Sequence, residues 1–328
     1  MLVINLLIIL LISSGITFLL IKYKNNINLI AHPNYRTMHK NKIPNSGGIA
    51  IFISFFLGIY LLDINLDSSI YISMILVFLL GVYDDIFVSK IKEKLVILFL
   101  IANILYFHGY NIQYLGTYLG YSIELPSFLA YWFLVFIVIG FVNSINLIDG
   151  LDGLVSIVGI IILGSFLYIG LKFKDDFLIY IASIYISSIV GYLFFNWSPA
   201  KIFMGDNGSF PLGLIIVIVA VHAVNMKYIT PISILMLSAL PILDTFIVMT
   251  NRIKLGQNPF VADKSHIHHI IFQQQKNNTK RTVTILALMQ VVFSYIGLGF
   301  KIRDDILILI LFLMILVLIY MLLIPKKS

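Results

Sequence analysis

Cysteine is absent from this sequence and charge is scarce. No Cys occurs among its 328 residues, which excludes disulfides, thiolate metal sites and cysteine nucleophiles. Only 11% of the residues are charged, 60% are hydrophobic, and the mean hydropathy is +1.02. Soluble domains are about a quarter charged. The composition is therefore that of a polytopic membrane protein and not of a large soluble core.

Several sequence motifs are also missing. There is no Walker-type G-x-x-x-x-G-K-[ST], no kinase set and no G-x-S-x-G, so neither ATP hydrolysis nor serine hydrolysis is favoured. No internal repeat, low-complexity tail or soluble domain interrupts the chain. The net charge of +7 comes without a basic domain, so nucleic acid is not an expected partner. We expect one polytopic domain over residues 1–328.

Long apolar runs dominate what is present. The first run, 2–21, is long enough to cross a membrane and too long for the apolar part of a cleavable signal. The pattern predicts an all-α integral membrane protein with about eleven transmembrane helices. The predicted spans are 2–21, 48–62, 69–83, 94–108, 128–145, 154–171, 177–195, 209–226, 228–250, 282–299 and 304–323. The segment 109–127 between two of them is predicted to be a small hairpin or a lid.

The loop charges orient the predicted spans. With the N-terminus outside, the outer segments hold five basic residues, which are Lys172, Lys174, Lys227, Lys301 and Arg303. The inner segments hold the other seventeen of the 22. Cytoplasmic loops carry such an excess of Lys and Arg. The sequence therefore predicts a multi-pass membrane protein with a cytoplasmic C-terminus; the family resemblance described below implies that the membrane is the bacterial inner membrane.

Polar residues collect in five clusters, all at the predicted cytoplasmic boundary. The clusters are HPNYRTMHKNKIPNSGG (32–48), GVYDDIFVSKIKEK (81–94), NSINLIDGLDGL (143–154), NWSPAKIFMGDNGS (196–209) and NRIKLGQNPFVADKSHIHH (251–269). Charged side chains near a membrane are costly unless they are paired or functional. The clusters therefore indicate a site that takes one substrate from the cytosol and another from the lipid leaflet.

Acidic residues in three of these clusters suit a divalent cation. The adjacent acids Asp84 and Asp85 repel each other and need a cation nearby; alternatively they belong to a solvated loop. In FMGDNGS, glycines flank Asp206 and allow close approach of a ligand, although a tight turn would have the same composition. In NSINLIDGLDGL, capping of a helix end explains one or two of the four polar residues, not all. Mg²⁺ prefers such hard oxygen ligands together with substrate phosphates.

The segment HIHH (266–269) offers three imidazoles. A zinc site would need His268 or His269 together with ligands from elsewhere, and no H-E-x-x-H pattern is present. Neighbouring basic residues favour recognition of an anion or a sugar; a solvated basic loop is the alternative. Asp244 lies about 9 Å inside the predicted span 228–250, at 1.5 Å per residue. It is predicted to be either a functional carboxylate or a structural acceptor.

Acids for a divalent metal, basic residues for phosphates and glycines for close approach are the groups that phosphoryl transfer requires. A transporter is the alternative from another class. It would place polar groups near the bilayer midplane, often in paired repeats, and neither feature is seen.

These motifs resemble those of the polyprenyl-phosphate N-acetylhexosamine-1-phosphate transferases, within the glycosyltransferase 4 family. The resemblance covers roughly 32–269 and is nearest to the undecaprenyl-phosphate N-acetylglucosamine-1-phosphate transferase branch. It implies that undecaprenyl phosphate attacks the β-phosphate of a UDP-N-acetylhexosamine and releases UMP. The implied cofactor is Mg²⁺, with Mn²⁺ as an allowed substitute. The implied partners are the two substrates and membrane lipid, and a homodimer is allowed.

The resemblance also implies roles for individual residues. The metal ligands would be Asn146 and Asp206. The catalytic group near the reacting phosphates would be Asp84, Asp85 and Lys94. The nucleotide-binding group would be Asn143, Asp149, Asp152 and Phe203, with Asp152 reading the uracil edge and Phe203 stacking on the base. The sugar-selecting group would be Arg252, Lys264, His266, His268 and His269.

Two departures from the family patterns bear on the substrate. HIHH stands where the phospho-N-acetylmuramoyl-pentapeptide transferases have three consecutive histidines, and that related branch is the alternative enzyme. Lys264 stands where many relatives carry Arg, which leaves the N-acetylhexosamine open.

Overall fold

The computed structural model describes residues 1–26, 29–31, 43–87, 89–254, 256, 266–299 and 305–323, and most of them are helical. The helices are α1 (Leu2–Lys22), α2 (Gly47–Leu61), α3 (Ser68–Phe87), α4 (Ile91–Phe107), α5 (Ser127–Leu147), α6 (Leu154–Phe173), α7 (Asp176–Asn196), α8 (Asp206–Asn225), α9 (Pro231–Leu237), α10 (Ala239–Lys254), α11 (Ile267–Gln274), α12 (Thr279–Gly299) and α13 (Asp305–Leu323). The strands are β1 (Ile30–Ala31), β2 (Ile43–Pro44), β3 (Tyr114–Tyr118) and β4 (Tyr121–Glu124).

The long apolar helices identify a multi-pass membrane protein. Within the described ranges, eight helices are long and apolar enough to cross a membrane, and the pair α9–α10 makes a ninth if it is counted as one bent span. Lipid offers no hydrogen bonds to the backbone, so an apolar run that crosses it folds as a helix and pairs its own N–H and C=O groups.

Helix α8 forms the centre of the bundle. It packs against α2, α3, α5, α6 and α7, and nearly all of its side chains are buried. Its run of Leu, Ile, Val and Ala after Pro211 has no polar face, which is typical of a helix surrounded by protein. The first residue of this central helix is Asp206, so the packing fixes the position of that carboxylate.

The predicted span 228–250 is two helices instead of one. Helices α9 and α10 meet at an angle of 86° around Ser238. Gln290 of α12 pairs with the backbone groups at the break: its Nε2 donates to Leu237 O (2.6 Å), and its Oε1 accepts from Leu240 N (3.2 Å). A buried backbone group without a partner is costly in an apolar medium, so this buried glutamine makes the bend tolerable.

Segment 109–127 contains the antiparallel hairpin β3–β4, which confirms the expected hairpin and adds β structure to an otherwise helical protein. The hairpin is held to α13, because the backbone N–H of Thr117 donates to Asp305 Oδ2 at 2.6 Å.

The segment before α2 pairs with the segment before α8. Phe203 N donates to Pro44 O, Gly47 N donates to Phe203 O, and Gly48 N donates to Met204 O, each at 2.9 Å. The first N–H groups of a helix have no partner within the helix. Here the 203–204 carbonyls serve that purpose, and this brings two of the predicted polar clusters into contact.

Candidate active site

Four helix ends meet at one end of the bundle. They are the start of α2, the end of α3, the end of α5 and the start of α8, and α4 begins beside them. Hydrogen bonds between side chains join these ends, as described below. The clusters that the sequence places far apart are therefore parts of one site.

Asp84, Lys94 and Asp206 form the charged centre of this site. The Lys94 ammonium lies 2.5 Å from Asp84 Oδ2 and 3.6 Å from Asp206 Oδ2. Asp84 Oδ1 accepts from both the backbone N–H and the hydroxyl of Ser89, at 2.7 and 2.6 Å. One cation therefore lies between two carboxylates, and the loop between α3 and α4 fixes the orientation of the first of them.

Asp85 faces a different set of groups from its neighbour Asp84. Its Oδ1 accepts from Asn45 Nδ2 (2.6 Å) and Asp206 N (3.1 Å), and its Oδ2 accepts from Asn207 N (2.9 Å) and Asn207 Nδ2 (2.5 Å). It thus caps the N-terminus of α8 from another helix, where a carboxylate is favoured by the helix dipole and by unpaired N–H groups. The acidic pair has two separate tasks.

Asn146 is adjacent to the Asp206 carboxylate. Its Nδ2 donates to Asp206 Oδ1 at 2.6 Å and to the Ser209 hydroxyl at 2.9 Å. Rotation of the amide by half a turn would present the amide oxygen instead. The Asn146 oxygen and the carboxylate oxygens of Asp206 and Asp84 are hard donors of the kind that Mg²⁺ binds. The two predicted metal ligands are therefore together, and their chemistry fits the ion.

Glycines allow these helices to approach closely. A Cβ added to Gly81 of α3 would overlap the backbone of Asp206 and Asn207. A Cβ added to Gly48 of α2 would overlap the backbone of Gly208. Any larger residue at Gly48 or Gly81 would push the α8 N-terminus away from Asp84 and Asp85.

Asp149 and Asp152 lie in the turn between α5 and α6. Burial, followed by the charges of Asp85 and Asp152, raises the pKa of Asp149 to about 7. Asp152 is buried and its Oδ2 accepts from Ala200 N at 3.1 Å. Asp149 is therefore within reach of the charge of Asp85, whereas Asp152 ties the turn to the segment 196–204.

A cavity of about 530 Å³ opens beside this turn. It is lined by Gly150, Leu151, Asp152, Ser198, Pro199, Phe272, Asn277 and Thr279. Its volume is in the range of small-molecule sites. Of the predicted nucleotide-binding residues, the cavity wall contains Asp152.

The other two predicted nucleotide-binding residues have different surroundings. The Asn143 amide donates to Ile139 O of its own helix at 2.6 Å. Phe203 is partly buried, and its backbone belongs to the ladder between the segments before α2 and α8. The described structure thus brings Asp149 and Asp152 together but does not bring Asn143 or Phe203 to the cavity wall.

The histidines of HIHH are anchored to α10 by Asp244. Asp244 is buried; its Oδ2 lies 2.7 Å from His266 Nδ1, and its Oδ1 accepts from Ile267 N at 2.5 Å. His268 packs on the turn after α5, since a Cβ on Gly150 would overlap its Nε2. The His cluster therefore contacts the NSINLIDGLDGL cluster, and Asp244 is a structural acceptor as one of its two predictions had it.

The remaining residues of the sugar-selecting group are less fully described. Arg252 is buried near the end of α10, and His269 stands next to His268 with ring centroids 4.3 Å apart. Lys264 lies outside the described residues, as do His32, Arg36 and His39.

Three polar residues that complete the site were not predicted. Asn45 bonds to Asp85 and, through its carbonyl, accepts from Asn207 Nδ2 at 2.8 Å. Asn196 joins two loops, since its Oδ1 accepts from Gly153 N and its Nδ2 donates to Ile202 O. Ser89 holds Asp84. All three lie within the quoted clusters, but nothing in the sequence reveals which group each would meet.

Comparison with known proteins places this site in a family. The profile described as "Glycosyl transferase family 4" matches residues 68–224, which include the charged centre. A probable undecaprenyl-phosphate N-acetylglucosaminyl 1-phosphate transferase of Bacillus subtilis (strain 168) is 31% identical over 283 residues, covering 84% of this chain and 78% of the relative.

Two other relatives carry nearly the same name. The undecaprenyl-phosphate alpha-N-acetylglucosaminyl 1-phosphate transferase of Thermotoga maritima is 28% identical over 292 residues, covering 88% of each chain. That of Escherichia coli (strain K12) is 26% identical over 266 residues, covering 77% of this chain and 71% of its own. The similarity extends over most of the chain and includes the helices that carry the site. The protein belongs to glycosyl transferase family 4.

Proposed function

We propose that the protein transfers N-acetylhexosamine-1-phosphate, with N-acetylglucosamine as the sugar, from a UDP-sugar to undecaprenyl phosphate. UMP is the second product. The names of the relatives support this donor sugar and this acceptor. The observation that carries the proposal is the placement of Lys94 between the carboxylates of Asp84 and Asp206, with Asn146 on the far side of Asp206.

The reaction joins an oxygen of the lipid phosphate to the β-phosphorus of the donor. The bond from that phosphorus to the bridging oxygen breaks, and the electron pair leaves with UMP. Phosphoryl transfer is accelerated mainly by positioning and by neutralising charge on the phosphate oxygens. The lipid phosphate is mostly dianionic at neutral pH, because its second pKa is about 6. It therefore needs no strong base, so the site does not require Asp84 or Asp85 to act as one.

The residues of the site supply the positioning and part of the charge. Lys94 is the cation nearest to the described carboxylates, and it would exchange its contact with Asp206 for a diphosphate oxygen. Asp84 keeps that ammonium oriented, and Asp85 keeps the α8 N-terminus in place.

Asn146 and Asp206 would hold Mg²⁺, and Asp84 would lie beside it. The ion would neutralise the diphosphate charge. Two carboxylates around a single lysine leave a net negative site, which suits a divalent cation arriving with the substrate.

The turn after α5 and the cavity beside it would receive the nucleotide, with Asp149, Asp152, Phe203 and Asn143 as its predicted contacts. The histidine segment, Arg252 and Lys264 would receive the sugar. The contact of His268 with Gly150 supports this arrangement, since it brings the sugar-selecting loop next to the nucleotide turn.

We further propose eleven membrane crossings. The eight long helices, the bent pair α9–α10, the 15-residue α2 and the 17-residue α4 make up this number. The distribution of basic residues supports an N-terminus outside and a site that faces the cytoplasm of a bacterium.

UMP release by the purified protein tests the function. The assay contains detergent, undecaprenyl phosphate, Mg²⁺ and a panel of UDP-N-acetylhexosamines that also includes UDP-N-acetylmuramoyl-pentapeptide. We expect lipid-dependent UMP from UDP-N-acetylglucosamine. Asp206→Asn should abolish it, and the exposed Asp176→Asn at the opposite end of the bundle should retain it.

Three results would overturn the proposal in whole or in part. UMP release that does not depend on the lipid would exclude the acceptor. Full activity in Asp206→Asn would exclude the site. Release from the muramoyl-pentapeptide donor alone would assign the protein to the related branch.

A further inference from the structure

Asp244, His266 and His268 form a buried cluster at the junction of α10 and α11. Their exposures are 1%, 4% and 2%. Each offers one atom within 4.8 Å of the others. Asp244 Oδ2 lies 2.7 Å from His266 Nδ1 and 3.9 Å from His268 Nδ1. Three ligand-type atoms from two helical segments therefore converge on one point.

One feature of this cluster is unexplained by hydrogen bonding. His268 Nδ1 is buried and has no hydrogen-bond partner among the described residues. The buried Asp244 carboxylate has contacts to His266 Nδ1 and Ile267 N, and a full positive charge beside it would compensate its burial further. A positive ion among the three side chains would satisfy the nitrogen and compensate the charge at the same time.

The type of donor decides which ion fits. Two imidazole nitrogens and one carboxylate oxygen suit zinc and its first-row neighbours, whereas Mg²⁺ prefers oxygens alone. Zinc at about 2.0–2.1 Å from each ligand sets tetrahedral ligand atoms about 3.3 Å apart. The distances of 2.7 Å from Asp244 Oδ2 to His266 Nδ1 and 3.9 Å to His268 Nδ1 fall on either side of that value, so small side-chain rotations close the site.

A hydrogen bond to the Asp244 carboxylate is of a kind that is common around metal sites. The backbone N–H of Ile267 donates to Asp244 Oδ1, the carboxylate oxygen that the cluster does not use. Ligating carboxylates are commonly held by a hydrogen bond of this kind.

We propose that Asp244, His266 and His268 bind one first-row transition-metal ion, with Zn²⁺ as the best fit. The ion replaces the proton between His266 Nδ1 and Asp244, and that proton is released to solvent on binding. It fixes the start of α11 to α10, and thereby holds His268 against Gly150. This site shares no residue with the proposed Mg²⁺ site, and metal binding does not depend on the proposed reaction. It uses Nδ1 of His266 and His268, so a contact of these two histidines with the sugar would be made through Nε2.

Metal content tests the proposal. The full chain is purified in detergent without an oligohistidine tag, incubated with Zn²⁺ or Co²⁺, passed through gel filtration and analysed by mass spectrometry for metals. We expect about one ion per chain, as in three-residue zinc sites. The Co²⁺ form should show visible absorption bands of a nitrogen-ligated ion.

Three variants and a chelator sharpen the test. His268→Gln and Asp244→Asn should lose the ion, and His108→Gln, which removes an exposed imidazole elsewhere, should keep it. In excess Mg²⁺, o-phenanthroline should lower the melting temperature of the wild type and leave that of His268→Gln unchanged.

A folded wild type that retains neither ion would overturn the proposal and leave a hydrogen-bonded Asp–His pair. Equal retention in the wild type, His268→Gln and Asp244→Asn would also overturn it. If the variants do not fold, the metal content and Co²⁺ spectrum of the wild type still decide. None of these readouts uses catalysis, so failure here is distinct from failure of the proposed transferase activity.

Discussion

Asp84 and Asp85 are neighbours in sequence. The structure predicts that replacing each of them by asparagine will change the stability of the protein by different amounts. Asp85→Asn should destabilise the protein strongly, and Asp84→Asn should destabilise it little. Both should lose transferase activity. The pair forms a matched comparison, since the two changes remove the same charge from the same helix.

The magnitudes follow from the hydrogen bonds. Asp85 accepts four, from Asn45, Asp206 and twice from Asn207. An asparagine has one acceptor oxygen, so two of the four donors would face an NH₂ group. Each buried donor left unpaired costs about 1–3 kcal/mol, and the lost charge at the α8 N-terminus adds about 0.3–1 kcal/mol. The total is about 2–7 kcal/mol.

The variant Asp84→Asn should lose less free energy of unfolding. Its Oδ1 still accepts both bonds from Ser89, and Lys94 retains a carboxylate at Asp206. Asp84 is buried, but Lys94 is partly exposed and keeps Asp206 as a partner, so the expected loss is about 1 kcal/mol, the upper end of the range for exposed pairs.

Thermal unfolding in detergent, followed by gel filtration of the heated samples, measures the difference. The melting temperature of Asp85→Asn should fall well below that of the wild type, and that of Asp84→Asn should stay close to it. If Asp84→Asn is the less stable of the two, or if Asp85→Asn melts like the wild type, the division of tasks within the acidic pair is wrong.

Three other predictions concern helix packing and a titrating group. Gly81→Ala should destabilise the fold by about 1–3 kcal/mol or more, because the Cβ meets the α8 backbone; Gly164→Ala, with nothing within 4 Å, should not, and equal melting temperatures would contradict this. Gln290→Leu should cost about 1–3 kcal/mol for each backbone group it unpairs at the α9–α10 bend, whereas the exposed Gln274→Leu should melt like the wild type; a stable Gln290→Leu would refute the role of the glutamine. The pKa of Asp149 is raised from 3.8 to about 7, so its stabilising contribution is full below about pH 4 and is lost as the pH rises through about 7. Asp149→Asn should therefore melt above the wild type at about pH 8 and approach it as the pH falls towards 4; a gap that is independent of pH would contradict the raised pKa.

The helices, and the gathering of several polar clusters at one end of the bundle, were largely predictable from sequence. Long apolar runs can only become helices in lipid, and the polar cluster NSINLIDGLDGL was expected at the inner end of the span 128–145, where α5 ends at Leu147. The association of Asn146 with Asp206 was also expected, since the two motifs match one family pattern, and the structure brings them to 2.6 Å.

Long-range partners were not predictable. The sequence shows that Asp84 and Asp85 are adjacent, but only the packing of α8 decides which one caps it. Pro241, three residues after the bend at Ser238, cannot donate to Leu237 O and signals a break. The compensating partner Gln290, however, is about fifty residues away in the chain. Pairing between Asp244 and His266 spans a segment of 22 residues. Tertiary contacts of this kind leave no local periodicity in the sequence.

The fate of the β-phosphate tests the central claim most directly. UDP-N-acetylglucosamine carrying radioactive phosphorus in the β position is incubated with the purified protein, undecaprenyl phosphate and Mg²⁺, and the lipid is extracted. The account predicts that the label enters the lipid fraction together with the sugar, while the nucleotide product is unlabelled UMP. Label that stays with the nucleotide as UDP, while the sugar alone reaches the lipid, would contradict phosphosugar transfer.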